Sequence, residues 1–240
     1  MVVDTDDEPD LCVGVCEMFP SGYCNGLPCS DFPSDACAAV MGAGRVTSNA
    51  LGNEGGTCGI TSGGRYIDSS QPDIYGTFQC LGYTGTTGSG AERQMEALQG
   101  AISEPLLAPG ACNEGFLRDD AVLVITLITD EEDDPTDPQG GSSGTPTSWR
   151  TAVMAAKDDR PNSVVVLGLV GDTGQPGAIC EPLGSDDIEG AEESPRLREF
   201  VEGFGSAGLL GSVCADSYAG FFGEAVDLID TTCDNYVPPE

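Results

Sequence analysis

Two short stretches of the chain are apolar without interruption. Ala121 to Thr129 reads AVLVITLIT, and Ser163 to Val170 reads SVVVLGLV. Neither alternates with polar residues, which is the pattern of a strand covered on both faces, because neither side of the pleat then meets water. The first is expected to be a central strand, and it stops at a run of carboxylates that opens with Asp130. Around these strands the spacing changes to that of helices. Ser89 and Glu92 form a capping box for a helix from Ala91 to Ser103, with Ala91, Met95, Leu98 and Ile102 on one face and Pro105 as its stop. A second helix, capped by Thr147 or Ser148, places Trp149, Ala152, Val153 and Ala156 together and ends near Pro161. A third is capped by Ser194, has Pro195 at its first position and turns Leu197, Phe200, Val201 and Phe204 inward. Thr77 to Thr84 reads as a further strand, Leu209 to Cys214 as a short edge strand, and Tyr218 to Ile229 as a last helix with an aromatic core stripe. Strands alternating with helices predict a three-layer α/β fold, with a mostly parallel central sheet flanked by helices.

The first third of the chain departs from this pattern. Met1 to Val3 resembles the end of a strand, closing on Asp4, and residues 11–79 are rich in glycine, proline and cysteine with little periodicity. A stretch of that length without regular elements needs staples or a function. The chain therefore reads as one domain over residues 1–240, with a disulfide-rich loop insertion at 11–79 and an α/β core at 80–237. Eleven cysteines without a repeated Cys-x-x-Cys pair point to disulfides and an oxidising compartment, and the odd number leaves one thiol over. Cys12/Cys16 and Cys24/Cys29 have no matching second pair that would make a zinc site. No run is long enough to span a bilayer. A disulfide-rich chain without a leader at Met1 predicts that further sequence precedes it.

Charge narrows the partners. Forty acidic against nine basic side chains give a net charge of −31, which repels nucleic acid and anionic membranes and attracts cations. The absence of histidine removes Ser-His-Asp and Cys-His catalysis and histidine-ligated zinc. No dinucleotide or Walker fingerprint is present. Carboxylates remain, and three predicted strands end in one: Asp4, Asp130 and Asp172. In a parallel sheet these ends share an edge, which Thr86, Thr87 and Ser89 enter from the turn before the first helix. Hard oxygen donors of this kind suit Mg2+ or Ca2+, leaving a coordination position for a partner's carboxylate. The competing reading makes Ser89 a helix cap, Thr86 and Thr87 turn residues, and the carboxylates after Asp130 a solvated loop.

The segments GTTGSGAERQMEAL, VLVITLITDEEDD and VVVLGLVGD together resemble the second half of a von Willebrand factor type A domain, in the cysteine-bearing form of secreted bacterial surface proteins and lipoproteins. The resemblance spans roughly Thr77 to Val237. It implies a Rossmann-like sheet and a metal-ion-dependent adhesion site, with Thr86, or Thr87 in its place, and Asp130 as ligands. It also implies an extracellular protein or surface-polymer ligand whose acidic side chain completes the metal site. The family's Asp-x-Ser-x-Ser loop is absent, and Asp4-Thr5-Asp6-Asp7-Glu8 does not supply it. Either the first strand lies upstream of Met1 or the sheet closes with Asp4 beside Asp130. Two functions follow: a non-enzymatic adhesion or ligand-binding module, and a disulfide-held structural or interaction domain with a non-functional metal site.

Overall fold

The structure is a computed structural model that describes residues 1–5, 35–38, 40–48, 56–84, 92–136, 140–183 and 190–239. The chain forms two compact units, Met1–Leu117 and Arg118–Glu240.

In the first unit, β1 (Thr47–Ser48) and β2 (Gly56–Thr57) pair antiparallel, and α1 (Ile74–Gly82), α2 (Gln94–Ala101) and α3 (Glu104–Leu107) follow. The segment expected to be a strand at Thr77–Thr84 is helical. Asp73 caps α1 by accepting from Gly76 N at 2.8 Å, and Thr77 and Leu81, four residues apart, are its buried positions. That helical spacing outweighs the strand-like look of the Thr-Phe-Gln-Cys run. Met1 to Val3 also form no strand, although Arg45 N donates to Val2 O at 2.8 Å. Cys37–Cys112 and Cys58–Cys80 staple this unit. Asn113, fully buried, ties three segments by accepting from Gly44 N and donating to Gly42 O and Ala101 O. Gly42, at φ 84°, lies so close to α2 that a Cβ there would sit 2.4 Å from Ala101 N.

The second unit is the α/β layer expected from the alternation. β3 (Leu123–Ile128), β4 (Val164–Val170) and β5 (Gly208–Ser212) form a parallel sheet in the order β3-β4-β5, crossed by α4 (Pro146–Ala155) between β3 and β4 and by α5 (Pro195–Glu202) between β4 and β5. β4 is buried at all seven positions. β3, expected to be the central strand, is instead paired on one side only among the described residues, and its burial alternates: Leu123, Ile125 and Leu127 are buried, Val124, Thr126 and Ile128 exposed. An apolar run shows that a strand tolerates burial on both faces, but neighbouring elements decide whether it receives it.

One face of the sheet carries α5, with α4 packed beside it: Trp149 and Phe200 are fully buried, their rings edge to face at 6.4 Å. The other face carries α6 (Ala219–Asn235), where Ala225 packs on Val165 and Leu167, with Phe221, Leu228 and Ile229 around them. Thr145 caps α4 rather than the expected Thr147 or Ser148, because Pro146 occupies the first helical position. Its hydroxyl accepts from Ser148 N, and Ser148 Oγ in turn accepts from Thr145 N. Cys180–Cys214 joins the loop after β4 to the end of β5. Among the described residues Cys233 is free and exposed, and no helix is long and apolar enough to cross a membrane.

Candidate functional site

The carboxyl end of β3 carries the acidic loop that the sequence singled out, and at Glu132 and Asp133 the loop is built rather than solvated. Glu132 reaches the first turn of α5, where Oε2 accepts from Arg196 N at 2.7 Å and Oε1 from Asp133 N at 2.8 Å. It thereby supplies the capping acceptor that Ser194 was expected to supply. Ser194 does occupy the cap position, but its hydroxyl makes no cap bond and is buried without a hydrogen-bond partner among the described residues. Burial pushes the Glu132 carboxyl above its ordinary value, and the amides of Arg196, Asp133 and Leu197, with the Arg196 charge, offset only part of that.

Asp133 is fully buried and accepts from Ser142 N at 2.6 Å, 3.8 Å from the Arg196 guanidinium. Arg196 donates to Asp133 O and to Gly144 O and stacks on Trp149 at 4.4 Å. Buried carboxylates need such partners, because an unpaired ion inside a protein is far costlier than one in water. Glu192 completes the knot: its carboxylate accepts from Glu132 N at 2.8 Å, and its N–H donates to Asp130 O at 2.8 Å. The expectation that the carboxylates after Asp130 are solvated is thus corrected for Glu132 and Asp133. No local signal in the sequence links Glu132 to Arg196, 64 positions away.

The strand-end aspartates have different fates. Asp130 is exposed, and its carboxylate makes no hydrogen bond or ion pair among the described residues. Asp172 accepts from Ile179 N at 3.1 Å and Cys180 N at 2.9 Å. Burial acts against its charge, but these two amides and the Ser212 hydroxyl outweigh it and hold the carboxyl below its ordinary value. Asp4, in the first unit, forms an ion pair with Arg45. Thr86, Thr87 and Ser89 lie outside the described residues. The resemblance asks for Mg2+ or Ca2+ here; among the described residues no group of three or more acidic or sulfur ligands converges, and Asp172 and Asp4 are engaged by protein groups.

An open cleft of about 440 Å³ lies over this knot. Glu132, Asp134, Glu192 and Glu193 give it negative charge, Pro182, Leu183, Ala191 and Pro195 give it apolar surface, and Arg196 and Thr173 complete its lining. The volume is within the range of small-ligand sites, and the place, beyond the carboxyl ends of parallel strands, is where such sheets collect ligands. The chemistry suits a cationic or hydroxyl-bearing group. No protein-family model, curated protein or solved structure matches the chain, so the von Willebrand factor resemblance rests on the sequence motifs alone.

Proposed function

We propose that this chain is a non-enzymatic, extracellular ligand-binding module of the adhesion type, which holds a cationic group of a protein or surface-polymer ligand in the acidic cleft at the carboxyl end of its parallel sheet. The observation that carries this reading is the cleft itself, lined by four acidic and four apolar residues. Its walls are fixed beforehand by the Glu132–Arg196–Asp133 knot, so little ordering is left to oppose binding. The three disulfides among the described residues fit an oxidising compartment, and a location at the cell surface is part of the proposal. A second reading keeps the metal-ion-dependent site, because Asp130 is exposed at the end of β3 with its carboxylate free of protein partners among the described residues.

One experiment separates the two. Melting temperature is measured with oligolysine, with oligoglutamate, and with MgCl2 or CaCl2, for the native chain, for the Asp134→Asn/Glu193→Gln double variant and for Asp130→Ala. The cleft reading expects a rise with oligolysine that is absent with oligoglutamate and lost in the double variant. The metal reading expects a rise with the salts, beyond that given by NaCl at equal ionic strength, and expects Asp130→Ala to abolish this excess. No response to any of these ligands would sink both.

A further inference from the structure

The outer edge of β3 combines three properties. The first is in its backbone. Leu123 N donates to Ser163 O and Thr129 N to Leu169 O, so the odd-numbered residues turn their peptide groups toward β4. In a parallel ladder the N–H and C=O of alternate residues point to opposite sides. Val124, Thr126 and Ile128 therefore direct theirs away from the sheet, and no other strand among the described residues pairs with them.

The second property is apolar surface on the side of the sheet that carries α6. Val124 and Thr126 are in register with Val165 and Leu167, the residues that Ala225 covers. α6 does not extend this cover to β3, because it runs diagonally. It begins over the end of β5, with Phe221 against Gly211, and ends beside the starts of β4 and β3, where Asn162 Nδ2 donates to Asn235 O and the Tyr236 hydroxyl to Asp119 O. The later part of β3 is left open: Val124 is 37% and Ile128 59% exposed, and on α6 Phe222 is 42% and Val226 56% exposed.

The third is charge. Edge strands are ordinarily blunted by a lysine, a proline, a bulge or an inward charge, and β3 has none of these. Its protection lies at its two ends, where Asp119 and Asp120 precede it and Asp130 follows it, all exposed. Carboxylates at both ends repel another copy of this chain, at net charge −31, and attract a strand with basic ends.

We propose that the β3 edge accepts an extended segment of a partner protein as a fourth strand of the sheet, with β-branched residues over Val124 and Ile128 and lysine or arginine at both ends, against Asp119, Asp120 and Asp130. This is strand addition, in which backbone hydrogen bonds supply affinity and the side chains and charges supply selection. It is independent of the cleft and survives its failure.

The test uses the full chain with disulfides intact and a short peptide of alternating valine and threonine with a lysine pair at each end. Amide exchange followed by NMR should show new protection at Val124, Thr126 and Ile128. Replacing the lysines by glutamates should weaken binding on the order of tenfold or more, and N-methylating alternate peptide bonds should abolish it. Thr126→Pro removes an outward N–H without touching the β4 ladder and should abolish binding. Should that variant misfold, Ile128→Lys tests the same edge through an exposed side chain and should weaken binding. Equal binding of the glutamate peptide, protection confined to the residues around Arg196, or self-association through β3 without peptide binding would each overturn the proposal.

Discussion

β3 and β4 are nearly interchangeable as sequences and opposite as structural elements. Each is an unbroken aliphatic run, yet β4 lies between two strands and two helix layers with every position buried, while β3 has one exposed face and, among the described residues, one unpaired edge. Strand composition therefore reports what an element can endure, and the missing cover marks surface left available for something else. The ends of the two strands differ as well. β4 ends on an aspartate held by the amides of a disulfide-anchored loop, and β3 on one that no described residue holds.

The sharpest way to break the comparison is to place one carboxylate in each strand. Val166→Asp buries an unpaired charge and should cost more than about 4 kcal/mol in urea unfolding, whereas Ile128→Asp, at an exposed position, should stay within about 0.5 kcal/mol. Equal costs would mean that β3 is covered after all. Next in size is the bridge on the β4 side. Cys180 and Cys214 are 34 positions apart, so replacing both with alanine should cost about 3 to 4 kcal/mol by chain entropy. Hydrogen exchange should then accelerate at Ile179 and Cys180 and leave Leu123 to Ile128 unchanged.

The crossovers offer a smaller contrast. Thr145→Ala removes half of a reciprocal cap from α4 and should cost about 1 kcal/mol, while Ser194→Ala at α5 removes a buried hydroxyl without a partner and should be neutral or slightly stabilising. A pH series sharpens the difference between the strand ends by sign alone. Glu132 has a raised folded-state pKa, so the folded chain holds its proton longer and loses stability as pH rises through that value. Glu132→Gln should flatten this decline. Asp172 has a lowered one, so its contribution is present above the unfolded value and is lost as pH falls through the folded one. The deficit of Asp172→Asn should accordingly shrink in acid. The same sign of slope for both variants would show that one of the two environments is wrong.

Much of the second unit was legible because its information is local. The aliphatic runs gave β3 and β4, the Trp149/Val153 and Leu197/Phe200/Val201 spacings gave α4 and α5, and the alternation gave a parallel sheet flanked by helices. What escaped is long-range. The exposure of Val124 and Ile128 depends on the course of α6, nearly a hundred positions later, and Glu132 caps a helix from another crossover. The strand expected over α1 rests on the run Thr77, Phe78, Gln79 and Cys80, whereas the local signal for the helix is Asp73, three residues before Gly76. Of the residues expected as metal ligands, Asp130 is exposed at the expected strand end, Asp4 is paired with Arg45, and Thr86 and Thr87 fall outside the described residues.

The knot at Arg196 has a consequence for ionic strength. A chain of net charge −31 repels itself at low salt, and added salt should raise its stability by screening that repulsion over distances of about 10 Å. Arg196, Asp133 and Glu132 interact at hydrogen-bond range and are partly or wholly out of water, where counterions do not reach. The shape of the cleft should thus hold constant from dilute buffer to brine, while the attraction of its rim for a cation fades.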